Sequence, residues 1–287
     1  MNPWLLAARP KTLAAAVVPV LVGTSMAVNA HTPLHWSAFL CALGGALFIQ
    51  IGTNLVNDAL DFKRGADTAV RLGPLRVTQA GLLSADVVLT GAYASFGLAA
   101  LCGIPLILRG GWPIAVVGIV SIAAAYAYTG GPYPLAYHGL GEAFVMIFFG
   151  LVATGGSYYV QRLFVDIAAL VAGVACGALA IILLAINNLR DIDHDRASNK
   201  QTLAAVFGAD FARREIEWMA MLVYLATIIL AYGQDWHLFT PLVTLPLAVV
   251  LVQRVKHSEG AELNRSLAMA GALEWLFGIT FVIGAVI

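Results

Sequence analysis

The chain has 287 residues, of which 60% are hydrophobic and 11% are charged, and its mean hydropathy is +0.85. Soluble domains carry charge on roughly a quarter of their residues, so this composition excludes that class and indicates an integral membrane protein. The formal net charge is zero, which predicts no nucleic-acid partner. The lipid bilayer is the partner that composition predicts.

The apolar runs predict how often the chain crosses the bilayer. A spanning helix needs about 20 apolar residues, because lipid offers no partners to backbone N–H and C=O groups. No charge occurs between Lys11 and Asp58, and the His31-Thr32-Pro33 break divides that interval in two. The predicted spans lie near 12–29, 37–56, 87–107, 111–129, 141–160, 167–188, 215–233, 237–253 and 266–287. We therefore predict an all-α membrane protein with nine spans in one bundle, a single domain over residues 1–287.

The first apolar run also resembles a signal peptide, because Arg9 and Lys11 precede it. The run is long for a signal sequence and opens a series of spans, so we interpret it as a retained first span, with cleavage as the alternative. The three cysteines lie in separate apolar runs and are interpreted as buried small residues.

Basic residues predict the orientation of these spans. If the N-terminus is cytoplasmic, every Lys and Arg except Arg109 and Arg162 falls on the cytoplasmic side. The positive-inside rule therefore predicts a cytoplasmic N-terminus and an external C-terminus.

A first cluster of charged residues follows the second span. Asn57 and Asp61 lie four residues apart, on one face if the helix continues, and Asp58 is beside them. Hard oxygen ligands of this kind suit Mg²⁺, which fills its remaining positions with water and substrate phosphates. Lys63 and Arg76 lie nearby and are candidate phosphate-binding residues.

A second cluster follows the sixth span. Asn187, Asp191 and Asp195 are spaced four and four, which would place an amide and two carboxylates on one helical face. Arg190 and Lys200 accompany them as further phosphate-binding candidates. Both clusters are predicted to lie at the cytoplasmic face, where together they would form an Asp-rich active site.

Other functions remain open on this evidence. A single acidic cluster is more often a solvated turn, and two such turns would fit an assembly factor. Intramembrane acids also mark ion pathways, so a cation-coupled secondary transporter is a second alternative. Against transport, the acids gather at helix ends on one face, and basic residues flank each cluster.

The clusters carry a resemblance to a known family. Asn57-Asp58-x-x-Asp61 after the second span, with Asp191-x-x-x-Asp195 after the sixth, resembles the UbiA superfamily of intramembrane prenyltransferases. Further strings resemble its 1,4-dihydroxy-2-naphthoate prenyltransferase branch, which acts in menaquinone and phylloquinone biosynthesis: Leu6–Leu13, Gly65-x-Asp67, Arg71–Gln79, Tyr128–Leu135, Asn187–Arg196 and Lys200–Leu203. The third Asp of the superfamily pattern, four residues after Asp61, is Gly65 here, and this branch carries Asp67 instead.

The resemblance implies a prenyl diphosphate donor, 1,4-dihydroxy-2-naphthoate or another aromatic acceptor, and Mg²⁺ as the cofactor. It also implies a bacterial inner or plasma membrane or a thylakoid-type membrane. The residues that it implies include metal ligands and diphosphate-binding residues. Metal ligands are Asn57, Asp58, Asp61, Asp67, Asn187, Asp191 and Asp195, of which Asp58, Asp61, Asp191 and Asp195 are the catalytic acids. Diphosphate-binding residues are Lys63, Arg76, Arg190 and Lys200. Phosphate-binding cations at such a site would neutralise the departing diphosphate.

Tyrosines near the end of the fourth span are candidates for contact with the acceptor or the allylic carbocation, namely Tyr126, Tyr128 and Tyr133. Their alternative is an interfacial aromatic belt. His138 and Glu142 in the following loop either bind acceptor, accept a proton or lie at the surface. Glu274, in the last span, is either functional or shallow enough to reach lipid headgroups.

Overall fold

A computed structural model describes residues 2–65 and 72–287. Within these residues the regular structure is entirely helical. The helices are α1 (Pro3–Ala8), α2 (Ala14–Asn29), α3 (Trp36–Lys63), α4 (Ala85–Gly110), α5 (Trp112–Ala127), α6 (Gly141–Arg162), α7 (Ile167–Arg190), α8 (Ile192–Ala197), α9 (Leu203–Phe207), α10 (Ala209–Gly233), α11 (Trp236–His257) and α12 (Leu263–Val286). The all-α prediction is confirmed.

Helices occupy all nine segments predicted to span the bilayer, although not all are equally long. In the described residues, α3, α4, α6, α7, α10, α11 and α12 are long and apolar enough to cross a membrane. Helices α1 and α2 pass the same test only as a pair, and they are bent by 50°. The remaining helix, α5, has 16 residues and is about 24 Å long at 1.5 Å per residue.

The bend between α1 and α2 has a local cause. Arg9 precedes Pro10, and proline disfavours the α conformation of the residue before it. Arg9 leaves the α region and has a left-handed backbone with φ of 51°, which ends α1 before Pro10. The bend lies against α3, because the Asn54 side-chain amide donates to Ala8 O at 2.9 Å and to Thr12 Oγ1 at 3.1 Å. These hydrogen bonds attach the segment between α1 and α2 to α3, about one turn before the first acidic cluster.

Two packed cores flank an apolar cavity. One core joins α2, α7, α10, α11 and α12 through residues such as Val18, Ile182, Ile216 and Phe277. The other joins α1, α3, α4 and α5 around Val56 and Val88. The cavity between them has a volume of about 320 Å³ and is lined by α2 to α6. The lining of this cavity is mostly apolar.

Helix α6 borders this cavity and approaches α7 closely. Residues Met146–Val152 form wider π-helical turns, which often occur at functional sites. Gly150 faces α7, where a β-carbon would lie 2.7 Å from Gly173 O and 3.0 Å from Gly177 Cα. Small residues permit such close contact between membrane helices.

Glu274 is the deepest ionisable side chain of α12. It is fully buried, and within the described residues neither carboxylate oxygen has a hydrogen-bond partner. The alternative in which Glu274 reaches the lipid headgroups is therefore wrong, because packed helices surround it on every side.

The contact between α6 and α7 gives a test of the packing. Gly150→Ala should lower the free energy of unfolding by about 1–3 kcal/mol, because the new methyl group meets backbone atoms that cannot rotate away. Gly97→Ala is the matched control, since no atom lies within 4 Å of a β-carbon there. Thermal unfolding in detergent measures both, and equal melting temperatures would contradict the close approach of the two helices.

Candidate active site

The first cluster occupies the last two turns of α3, which runs past the predicted end of the span to Lys63. The half-buried Asn57 accepts a short hydrogen bond through Oδ1 from the Thr129 hydroxyl. Asp61 is 7% exposed and accepts from the Tyr137 hydroxyl at 2.9 Å and from Arg76 Nη2 at 3.4 Å. Two predicted ligands thus share a face, and the predicted Arg76 lies beside them.

Asp58 has different surroundings from its neighbours. Its carboxylate is 1% exposed, and its two oxygens accept hydrogen bonds from the backbone N–H groups of Val77 at 3.1 Å and Thr78 at 3.0 Å. Consecutive helical residues point about 100° apart, so Asp58 faces this loop while Asn57 and Asp61 face another. The carboxylate anchors the segment that carries Arg76.

Two adjacent basic residues at the end of α3 point in different directions. Lys63, a predicted phosphate-binding residue, lies on the outer surface and pairs with the exposed Asp86 at 2.7 Å. Arg64 turns toward the site instead, where it donates to Thr129 O through a short hydrogen bond and to Gly131 O at 3.0 Å. The structure therefore brings Arg64, and not Lys63, to the first cluster.

The second cluster begins where α7 ends. The predicted continuous helix through Asn187, Asp191 and Asp195 is interrupted at Asp191, whose ψ is 12°. Backbone hydrogen bonds four residues apart nevertheless persist, from Asp191 N to Asn187 O and from Asp195 N to Asp191 O. The one-face spacing therefore survives a helix break that was not predicted.

Arg190 holds this cluster together. Its guanidinium is 3% exposed overall and binds Asp191 with two hydrogen bonds of 2.6 and 2.8 Å. It also donates to Asn187 Oδ1 at 2.7 Å and to Asn264 Oδ1 at 3.0 Å. A bidentate pair of this kind neutralises a buried carboxylate and fixes its orientation.

Asp195 lies on the short helix α8 and is 3% exposed. Thr202 donates to it at 3.3 Å, and Lys200 Nζ lies 3.7 Å away. Burial raises the pKa of the Asp195 carboxyl above its usual range, and the charge of Lys200 opposes that shift. Lys200 thus occupies the predicted position beside a predicted ligand.

Tyr137 connects the two clusters. Its hydroxyl donates to Asp61, its ring lies 5.3 Å from the Arg64 guanidinium and 5.8 Å from Lys200 Nζ, and its carbonyl accepts from Gln201 N at 3.1 Å. Burial and the charge of Asp61 raise the pKa of this phenol, so it remains a donor at neutral pH. The two acidic helix ends therefore face one another across this side chain.

The three predicted tyrosines occupy three different places. Tyr128 lines the apolar cavity and is within electrostatic reach of Asp61 and Asp195. Tyr126 stacks on Tyr93 with ring centroids 6.4 Å apart, and Tyr133 is exposed and stacks on His138 at 3.6 Å. Only Tyr128 joins the cavity to the acidic clusters among these three.

Glu142 and Asn188 form a buried polar pair behind the second cluster. Asn188 Nδ2 donates to Glu142 Oε1 at 3.1 Å, and both residues are less than 9% exposed. The surface interpretation of Glu142 is therefore wrong, whereas the half-buried His138 hydrogen-bonds Pro134 O in the loop.

Sequence reasoning missed Thr129, Tyr137 and the inward direction of Arg64. The partners of the two hydroxyls are 72 and 76 residues away in the chain, so no local spacing marks them. The one available signal is that both residues belong to the polar, Gly- and Pro-rich loop that follows Tyr128. Asp67, a predicted metal ligand, lies outside the described residues.

The cavity extends from this polar region into the bundle. On α3 its lining runs from Thr53 back to Ala42, a distance of about 16 Å along the helix. Phe144, Phe148 and Phe149 on α6 form part of the opposite wall. An apolar chain whose polar end lay at Asp61 and Asp195 would thus fit with its tail between α3 and α6.

The oxygen donors suit magnesium. Within the described residues, no three Asp, Glu, His or Cys side chains converge closely enough to hold a metal by themselves. Mg²⁺ in phosphate-binding sites takes only one or two carboxylates and completes its octahedron with phosphate and water oxygens. The donors present therefore fit an ion that is bound together with a phosphorylated substrate.

The fold and the site define a helical integral membrane protein in which two carboxylate clusters meet beside an apolar cavity. The chain belongs to the UbiA prenyltransferase family, whose model matches residues 16–285. The resemblance predicted from the sequence is thus confirmed.

Comparisons with individual proteins agree. The chain is 39% identical over 284 residues to 1,4-dihydroxy-2-naphthoate octaprenyltransferase of Mycobacterium tuberculosis, covering 94% of this chain and 96% of the relative. It is 32% identical over 284 residues to the Bacillus subtilis protein of the same name, covering 97% and 90%. A UbiA homologue from Archaeoglobus fulgidus, solved with GPP and Mg²⁺, shares the fold with a TM-score of 0.70, 16% identity and 99% coverage of each chain.

The anchoring contact of Asp58 generates a prediction. Asp58→Ala would leave two buried backbone N–H groups without acceptors, which costs about 1–3 kcal/mol each, so the free energy of unfolding should fall by about 2 kcal/mol or more. Asp86→Ala is the control, because that exposed residue forms only a surface ion pair. Chemical denaturation in detergent provides the measurement. An Asp58 variant as stable as the Asp86 variant would reject the anchoring role.

Proposed function

We propose that this protein transfers a prenyl group from a prenyl diphosphate to 1,4-dihydroxy-2-naphthoate, releasing diphosphate and CO₂ in a magnesium-dependent step of quinone biosynthesis. The donor is bound at the acidic clusters with its tail in the apolar cavity. The observation that carries the proposal is that Tyr137 joins the two clusters, while Tyr128 of the same loop region lines the apolar cavity. The names of the relatives support the choice of acceptor.

The residues of the chain divide the work of binding. Asn57 and Asp61 on one side, with Asn187, Asp191 and Asp195 on the other, would hold magnesium. When bound, magnesium supplies positive charge that neutralises the diphosphate. Arg76 and Lys200 add fixed cationic charge at Asp61 and Asp195, and Arg190 keeps Asp191 in place. Lys63 has no part in this proposal, because it faces the outer surface.

The bonds change at the junction of site and cavity. The allylic carbon–oxygen bond breaks, and its electron pair leaves with the diphosphate. The electron-rich ring forms a new bond to the allylic carbon, and the carbon–carboxylate bond then breaks with its electrons returning to the ring as CO₂ departs. The apolar lining excludes water from the cation. In this proposal the ring of Tyr128, which lines the cavity, would stabilise the cation.

The transporter alternative receives less support. Its ion-binding acids would be expected near the middle of the membrane. The paired acids of this chain lie instead at helix ends, held by cationic and hydroxyl donors, and the family is one of prenyltransferases. The buried Glu274 has no second ionisable side chain hydrogen-bonded to it within the described residues.

Prenyl transfer by the purified protein is the decisive test. With a prenyl diphosphate, 1,4-dihydroxy-2-naphthoate and Mg²⁺, the wild type should form the prenylated, decarboxylated product and lose that activity in EDTA. Asp61→Asn and Asp191→Asn should each remove most turnover, because each keeps side-chain size and loses the ligand charge. Each also removes the charge paired with a buried arginine, so thermal unfolding of each variant must separate lost turnover from lost fold. Asp86→Asn is the control on the surface.

The product distinguishes the candidate acceptors. Mass spectrometry of reactions with 1,4-dihydroxy-2-naphthoate and with a single-ring hydroxybenzoate should detect product only from the naphthoate. If only the hydroxybenzoate were prenylated, the proposed acceptor would be wrong, but the proposed prenyl transfer would stand. Full activity in either Asp variant would reject the paired metal site.

We further propose nine spans with the N-terminus and both clusters in the cytoplasm and the C-terminus outside. Charge distribution supports this orientation, and the two exceptions have structural partners. Arg109 donates to Val160 O and Gln161 O, which end α6, and Arg162 binds the Tyr158 hydroxyl at 2.9 Å and lies over Phe164. Both guanidinium groups thus form hydrogen bonds or ring contacts within the protein, which is consistent with their exception to the positive-inside rule.

Reporter fusions test this topology. A reporter after Ile287 should be external, and one inserted at Gly65 should be cytoplasmic. The two sites should differ because an odd number of the predicted spans lies between them. A third reporter at Phe164 should match the one at Ile287. Identical locations at Gly65 and Ile287 would reject nine spans.

A further inference from the structure

The loop between α5 and α6 provides hydroxyl donors to the first cluster. Thr129 donates to Asn57 Oδ1, and Tyr137 donates to Asp61 Oδ1 at 2.9 Å. Asn57 and Asp61 are the two proposed ligands of α3, four residues apart on one face. Each is therefore matched by one hydroxyl from the same loop.

The loop is itself held by contacts at both ends of this region. Arg64 donates to the carbonyls of Thr129 and Gly131, and its guanidinium also lies 5.3 Å from the ring of Tyr137. Within the loop, Ala136 N donates to Tyr128 O at 2.9 Å. The two hydroxyls are consequently fixed relative to α3 by a cation from α3.

The same loop reaches the second cluster. Gln201 N donates to Tyr137 O at 3.1 Å, and Lys200 Nζ lies 5.8 Å from the Tyr137 ring. Lys200 also faces Asp195 at 3.7 Å. A displacement of Tyr137 would therefore alter the surroundings of both groups of proposed ligands.

A carboxylate or amide oxygen has two lone pairs, so it can accept a hydrogen bond and bind a metal at once. Donors placed behind metal ligands orient those ligands, and their removal typically lowers metal affinity about 10- to 100-fold. A hydroxyl suits this role because it adds no charge that would repel a cation. Neither hydroxyl needs to touch the metal or the substrate.

We propose that Thr129 and Tyr137 are positioning residues, which orient Asn57 and Asp61 for a divalent cation bound with the diphosphate. The loop after α5 is then part of the metal site, with Arg64 as its clamp. This inference rests on the proposed function, and it assigns to the loop a role separate from contact with the allylic carbon.

Removal of single hydroxyl groups tests the inference. Tyr137→Phe and Thr129→Val each delete the donor and keep the approximate shape. Binding of Mn²⁺ in the presence of inorganic diphosphate, followed by the electron paramagnetic resonance signal of free Mn²⁺, should weaken about 10- to 100-fold in each variant. Thr129→Ser, which keeps a hydroxyl, should restore affinity close to wild type.

Tyr133→Phe is the matched control, because Tyr133 lies in the same loop but is exposed and stacks on His138. Its metal affinity should equal that of the wild type. In turnover assays, Tyr137→Phe should raise the Mg²⁺ concentration for half-maximal rate while kcat at saturating Mg²⁺ changes little. Thermal unfolding of each variant separates loss of affinity from loss of fold.

The outcomes distinguish this inference from the function beneath it. Wild-type affinity in both Tyr137→Phe and Thr129→Val would overturn the positioning role and leave the proposed function standing. Reduced affinity in Tyr133→Phe equal to that in Tyr137→Phe would also overturn it. Failure of the wild type to bind Mn²⁺ with diphosphate would overturn the metal site on which both proposals depend.

Discussion

Burial of negative charge is the constraint on which this site depends. Four carboxylates at the end of α3 and around the junction of α7 and α8 are each less than 8% exposed: Asp58, Asp61, Asp191 and Asp195. A buried ion costs several kcal/mol unless hydrogen bonds and opposite charge replace its water. Each carboxylate has its own donors, which are backbone N–H groups, a phenol with Arg76, a bidentate guanidinium, and a lysine with a threonine. Except for Arg190 at the end of α7, these donors come from the segments between the long helices.

The same arrangement divides the interior of the protein into a polar region and an apolar region. The paired carboxylates and their donors lie at helix ends and in the adjoining loops, while α2 to α6 enclose a cavity lined mostly by alanine, glycine, branched aliphatic and phenylalanine side chains. Tyr128 belongs to both regions, because it lines the cavity and its hydroxyl interacts electrostatically with Asp61 and Asp195. An amphiphilic substrate with an anionic head and a hydrocarbon tail matches this division. The reacting bond of a prenyl diphosphate lies where head and tail join.

Much of this architecture could be predicted from the sequence, because lipid imposes strict rules on local composition. Long apolar runs located the helices, and repeated four-residue spacing located Asn57, Asp61, Asn187, Asp191 and Asp195. The direction in which each side chain points and the residues to which it hydrogen-bonds were harder to predict. Lys63 and Arg64 are adjacent and similar in charge, yet only the fold decides which faces inward. Likewise, Asp58 belongs to the motif by spacing, but its position on the helix turns it toward Val77 and Thr78. Contacts across 72 and 76 residues, such as those of Thr129 and Tyr137, leave no periodic signal.

At the far end of the cavity, hydrogen bonds between α4 and α6 restrict how far these two helices can separate. Arg109 of α4 donates to carbonyls at the end of α6, and the Tyr159 hydroxyl of α6 donates to Gly110 O at 2.9 Å. Both helices form walls of the cavity, so these bonds join the walls at the end opposite the carboxylates. These hydrogen bonds therefore set the width of the cavity at this end, and a hydrocarbon tail that reaches it meets two helices that are tied together.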